Sequence, residues 1–383
     1  MTLILQSNKI ATRSLGNVDG IIGPRDFSLF SDFSMNRHFL NTQAGRVERS
    51  FMDLYSFSRP SSAEYIDESG NPASVASGVP RLFHNIPGTG TRGLLIESAR
   101  INSFKNPTVP VSQVVPLING ATYCVIFSMT GPGSLTVTGD ITDTYGQLVP
   151  NGLSLTVTAA APGYAFIAAP YGETGNINVQ VNGNPSFVQV ERADRPWTPS
   201  SRIVGATRSA DRLAISSAIL NSVLSSSGDF TVAMHVVDNY ASAHNASNAG
   251  IAEARPVFQA IRANGDHIAM AARTSDKGLK SATVRVFMSE VEQNLDSILG
   301  MPDTRGWTAV MARGGSTAYG GISGNLSSGT GTVLNQFKPD EFLLGQATTW
   351  ASRSGLFGVL TKLVVYPRFL SPAEIKALSS SWM

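Results

Sequence analysis

The sequence predicts an all-β protein with two β-sandwiches behind an extended N-terminal arm, on three observations. Charged residues make up 15% of the 383 and hydrophobic ones 42%, with 36 glycines and 20 prolines, a balance that suits short strands joined by many turns. Apolar and polar residues alternate with period 2 over long stretches beyond residue 92. Asn-Gly pairs at 119–120, 151–152 and 182–183 are hairpin signals, because both central residues of a type I′ turn need positive φ.

The first 55 residues differ from the rest. Phe27, Phe30, Phe33, Phe51 and Tyr55 follow neither period 2 nor period 3.6, which predicts an arm that orders against a partner. From 92 to 192 the strand signal is strong. Leu153, Leu155 and Val157 alternate with Ser154, Thr156 and Thr158, and Ile177, Val179 and Val181 alternate with Asn178, Gln180 and Asn182. Residues 197–211, with two prolines and small polar residues, read as an ordered linker in which Arg208 and Asp211 tie the chain to one sandwich. Beyond it, Phe230, Val232, Met234 and Val236 form one face of a strand; Ile268 with Met270, and Trp307 with Ala309 and Met311, repeat the pattern. The glycine-rich stretch 314–332 is expected as a hairpin loop. At the end, Ser371 as N-cap, Pro372 at the first helical position and Glu374 completing a capping box predict a short terminal helix.

Two segments carry a resemblance. The series Arg59-Pro-Ser-Ser-Ala63, Arg81-Leu-Phe-His84, Gly93-Leu-Leu-Ile-Glu97 and Asn102 resembles a segment common in tailed-bacteriophage virion proteins, which often carry carbohydrate-binding-type jelly rolls behind it. The ending Gly358–Leu378, a strand followed by Pro-Arg-Phe-Leu-Ser-Pro-Ala-Glu-Ile, resembles that of laminin-G and concanavalin-A-like lectin domains. The resemblance implies a virion-docking arm over 1–55, a jelly roll with its lead-in over 56–205 and a laminin-G/concanavalin-A-like sandwich over 206–383. It implies a structural virion protein of head, neck, fibre or baseplate, assembled in the host cytoplasm. Attachment to capsid, collar or tail proteins would be non-covalent, through the five aromatics of the arm. A symmetric homo-oligomer, a trimer as first guess, is expected. The alternative is a receptor-binding adhesin for host-surface glycans.

The residues argue against catalysis. The carboxylates Glu290, Glu292 and Asp296 lack the spacing that puts a glycosidase pair over one cleft. The five histidines fall at no metal-ligand spacing, and the glycine-rich stretch lacks the Gly-Lys-Ser/Thr of a phosphate loop. A formal net charge of +2, with basic residues scattered, gives no nucleic-acid footprint. No apolar run approaches the roughly 18 residues of a membrane span. Cys124, the single cysteine, leaves no intrachain disulfide, and no cofactor is expected. Sugar sites stack pyranose faces on aromatics and bond hydroxyls to Asn or Asp, which makes Tyr171, Trp197, Asp238, Asn239, Tyr240 and Trp350 the candidate glycan contacts.

Overall fold

The computed structural model describes residues 26–69, 72–85, 90–97, 99–117, 122–139, 153–157, 163–168, 176–192, 207–237, 254–274, 280–288, 291–297, 306–330, 337–346, 356 and 358–380. Two sheets, of ten and seven strands, face each other across one large apolar cluster. The centre of the ten-stranded sheet is the strand Gly358–Tyr366, flanked by Phe230–Val237 on one side and by Leu29–Asp32 on the other. Every pairing is antiparallel. The side chains expected to form strand faces do so: Phe230, Val232, Met234 and Val236 meet Trp307, Ala309, Met311, Ile268 and Met270 in the shared core.

The N-terminal residues correct the expectation of a docking arm from 26 onward. Leu29 pairs with Val365 and Phe30 with Val364, so this segment is an inner strand of the sandwich. Phe27, Phe30, Phe33, Phe51 and Tyr55 are all buried within the chain, and none is offered to a partner. Phe33, Phe51 and Tyr55 pack with His38 in an aromatic box inside the main core. Phe27 and Phe30 pack on the opposite face of the sheet, under the terminal helix. Residues 1–25 of the expected arm lie outside the described residues.

A second, smaller core belongs to a five-stranded antiparallel sheet within residues 113–192. Its two long strands, Thr122–Gly139 and Asn176–Arg192, pair along their whole length with a bulge between Ser128 and Gly133. Both halves contribute to one cluster: Val125, Val188 and Val190 from one, Leu135, Val137, Ile177 and Val179 from the other. The sheet therefore folds over on itself. Here Asn182-Gly183 corrects the hairpin expectation. It lies inside the second long strand, where Gly183 pairs with Gly133 and takes φ +89° beside the bulge. The other two Asn-Gly pairs lie outside the described residues.

This smaller unit is an insertion. Strand Arg92–Ile96 pairs with the central strand of the large sandwich, Leu94 opposite Leu360, and Arg212–Ile215 pairs within the seven-stranded sheet. Between them, Arg100–Ile101 and Thr207–Arg208 form a two-stranded clip at the neck of the inserted unit. The boundary expected at 55/56 thus falls inside the large sandwich, to which Tyr55–Ser58 also belongs. The glycine-rich stretch is also more regular than expected: Thr317–Ile322 and Asn325–Thr330 continue the sheet as strands.

Three helices are short. α1 (Phe51–Leu54) is held by a Ser50–Asp53 capping box, and α2 spans Ser217–Val223. α3 (Pro372–Ser380) closes the outer face of the large sheet with Ile375 and Leu378. Its expected capping box is formed: Glu374 N donates to Ser371 Oγ at 3.3 Å and Ser371 N to Glu374 Oε2 at 2.8 Å. Arg368, hydrogen-bonded to Glu374, holds that carboxyl down at about 2, well below the usual range.

Candidate functional site

The residues that carry the phage-protein resemblance converge on one place, the junction where the inserted unit leaves the large sandwich. Arg59, Arg81, His84, Glu97, Asn102, Arg208 and Asp211 are all 0–1% exposed. Local structure explains how they meet. Arg81 and His84 are three residues apart in the strand Arg81–Asn85 and would point to opposite faces of a regular strand. A bulge between them, with Phe83 at φ +59°, turns both inward. Glu97 follows the last residue of Arg92–Ile96, and Gly93 allows that strand to approach: a Cβ there would lie 2.2 Å from the Leu360 carbonyl oxygen.

Three guanidinium groups surround two carboxylates. Asp211 accepts from Arg59 Nη1 at 3.0 Å through Oδ1, and from Arg81 and the Glu97 amide through Oδ2, the latter at 2.8 Å. Glu97 is bonded to Arg81 and lies 3.6 Å from Arg208 Nε. Arg59 spends its other donors on the carbonyls of Ser61, Ala76 and Val79, at 2.8, 2.8 and 3.0 Å. Arg208, on the clip, donates to the Ser209 carbonyl, and the Ser209 amide donates to Ser61 Oγ at 2.9 Å. Burial pulls the Arg81 pKa down, but Asp211 and Glu97 more than offset it and the group stays firmly charged. Burial lowers His84 to about 3. The neutral ring fits its contact, since Nδ1 accepts from the Ile66 amide at 3.0 Å. Asn102 serves the inserted side: its Oδ1 accepts from the Phe104 and Val190 amides, both at 3.0 Å.

Sealed from water and internally hydrogen-bonded, this cluster has no face on which a substrate could sit. Its chemistry is that of a fixed joint. The glycan contacts expected at Tyr171, Trp197, Asp238, Asn239, Tyr240 and Trp350 lie outside the described residues. Among the described residues there is no group of three or more His, Cys, Asp or Glu that could hold a metal ion, and no helix is long and apolar enough to cross a membrane. Sequence reasoning named Arg208 and Asp211 as a tie. It did not foresee that Arg59, Arg81 and Glu97 complete it, although an Arg or Glu within an apolar strand context is a signal of paired burial.

No family model matches the chain, and no curated protein is similar to it. Among solved structures, the carbohydrate-binding module CBM40 of the Ruminococcus gnavus IT-sialidase is 13% identical, over 40% of this chain and 83% of that one, with a TM-score of 0.30. Domain 4 of AbnA, an extracellular arabinanase of Geobacillus stearothermophilus, is 14% identical over 44% of this chain and 73% of that one, at 0.30. The enzymatically active domain of bacteriophage CBA120 tailspike protein 2 is 13% identical over 45% and 26%, at 0.34. Likenesses of this size carry no functional argument.

Proposed function

We propose that this chain is a structural component of a tailed-phage virion, attached non-covalently to neighbouring virion proteins, in which the large lectin-like sandwich carries the inserted β-unit outward. The observation that supports this reading is the junction. The sequence segment resembling phage virion proteins supplies Arg59, Arg81, His84, Glu97 and Asn102, and these residues are used to fix one β-unit on another rather than to contact a substrate. A rigid joint sealed from solvent suits a protein whose work is to hold a module at a set place on a particle. Attachment does not run through the aromatics at 27–55, which are spent on the core. It falls to other surfaces of the chain, and a symmetric homo-oligomer would multiply weak contacts through avidity.

The test is immunogold electron microscopy of intact particles with an antibody to the large sandwich. Label at a fixed position on head, neck or tail supports the proposal and gives the location. Abundant protein in the lysate with no label on purified particles would overturn it.

A further inference from the structure

On the outer face of the ten-stranded sheet, two apolar patches are covered by other parts of the chain. One, formed by Phe30, Ala233, Val310 and Val364, lies under Ile375 and Leu378 of α3. The other, formed by Leu95, Val237 and Val359, lies under Tyr65 of the hairpin 63–75. Between them runs a polar row that neither the core nor the junction uses. Asp32 stands opposite Lys362, Lys362 opposite His235, and His235 opposite Thr308, each on the next strand. At this row the strand Gly358–Tyr366 bulges: His235 pairs with Lys362 and Val236 with Leu360, leaving Thr361 over. Leu360 and Leu363 point to the core and Val359 and Val364 outward, so the bulge gives Thr361 and Lys362 to the same outer face.

The row has unused hydrogen-bonding capacity. The Lys362 ammonium makes no ion pair or hydrogen bond among the described residues and is partly exposed. Thr308 is fully buried, yet its hydroxyl has no partner. Asp32 receives Ser34 Oγ at 2.5 Å and the Met35 amide at 3.2 Å on Oδ1 alone. His235 Nδ1 lies 2.5 Å from Thr361 Oγ1. Gly306 beside it gives the imidazole its place, since a Cβ there would stand 3.0 Å from Nε2. The charges balance: Asp32 against Lys362, with the nearby Arg37 already paired to Glu48 at 3.0 Å. Across three strand spacings of about 4.8 Å the row is roughly 14 Å long.

We propose that this row is a binding site for an uncharged oligosaccharide of two or three rings, with Lys362 and His235 donating to ring hydroxyls, Asp32 and Thr361 accepting from them, and Thr308 closing the far end. A row that mixes donors and acceptors at zero net charge matches neutral hydroxyl groups better than an anion or a cation. Partly buried Tyr65 borders it as an apolar edge on which a sugar face can rest. The site is independent of where the chain sits on a particle.

The purified chain should be screened on an array of neutral gluco-, galacto- and manno-oligosaccharides of two to four units, with uronic-acid counterparts alongside. The strongest neutral glycan is then titrated calorimetrically into wild type, Lys362→Met and Thr308→Val. Expected are a neutral glycan bound by wild type, an affinity lost at least tenfold in Lys362→Met, and a loss of about fivefold in Thr308→Val. Thr308→Val should melt no lower than wild type, because it removes a buried unpaired hydroxyl, and this separates lost binding from lost folding. Absence of any neutral glycan, preference for the acidic ones, or affinity kept within twofold in both folded variants would overturn the proposal.

Discussion

Replacing Asp211 by Asn isolates the electrostatics of the junction, because the side chain keeps its shape and loses its charge. In the wild type this one carboxylate receives two guanidinium groups, Arg59 and Arg81, and one amide, with every participant sealed from water. The substitution leaves three buried cations facing Glu97 alone, and it puts an amide NH₂ where an acceptor is needed. Breaking a buried ion pair by removing one partner costs about 3–5 kcal/mol, because the remaining charge is stranded in a medium that solvates it poorly. For a domain of this size about 1 kcal/mol lowers the melting temperature by roughly 2–4 °C, so the drop should be roughly 6–20 °C by calorimetry. A change below about 1 kcal/mol would refute the claim that the network holds the junction. The companion variant is Arg212→Gln, whose pair with Glu341 is part-exposed and should cost about 0–1 kcal/mol.

Three further outcomes are expected. Burial holds His38 at about 4 and His84 at about 3 in the folded protein. The unfolded chain then binds more protons below pH 6.5, and stability falls as pH drops from 6.5 toward 4, by about 3 kcal/mol for His38. Urea titrations at pH 7 and pH 4.5 measure this, and equal midpoints would count against neutral burial of these rings. Ser371→Ala removes one arm of the α3 capping box and should cost about 1 kcal/mol, read as a shifted urea midpoint; no shift would mean that α3 is held by its packing alone. Gly93→Ala drives a methyl against the Leu360 carbonyl and should cost about 1–3 kcal/mol, whereas Gly45→Ala, whose Cβ would meet nothing, should show only the strain of its positive φ.

Much of the sandwich was legible because its strands alternate. Phe230–Val237 and Gly306–Gly314 each give one face to the main core, and period 2 marks that face directly. The strand Leu29–Asp32 was not legible, for the same physical reason in reverse. It lies inside a sheet covered on both sides, so Leu29 packs inward and Phe30 outward and no polar face interrupts the run. Aromatics without period then look like an arm. The insertion was illegible for another reason: strand pairing between residues 94 and 360 leaves no local trace, and the chain reads as one module after another. The junction was half legible. Arg208 and Asp211 stand out in a linker of small residues, but the inward turn of both Arg81 and His84 depends on a bulge that no spacing rule anticipates. The polar row escaped notice because His235, Thr308 and Lys362 each read as an ordinary outward residue of its own strand.

The threading of the large sandwich also sets an order of events during synthesis. Ser28 hydrogen-bonds to the carbonyl of Val365, 337 positions further along, and the central strand is nearly the last to leave the ribosome. The inserted unit, whose long strands both lie between 122 and 192, has all its pairing partners in hand much earlier. It should be folded while the first strands of its host still wait, with Leu29, Phe30 and Phe33 exposed, for their neighbour to arrive. Such long-range closure is slow, and it leaves an early product open to aggregation. A chain cut short before residue 358 would carry a finished passenger on a carrier that never closes.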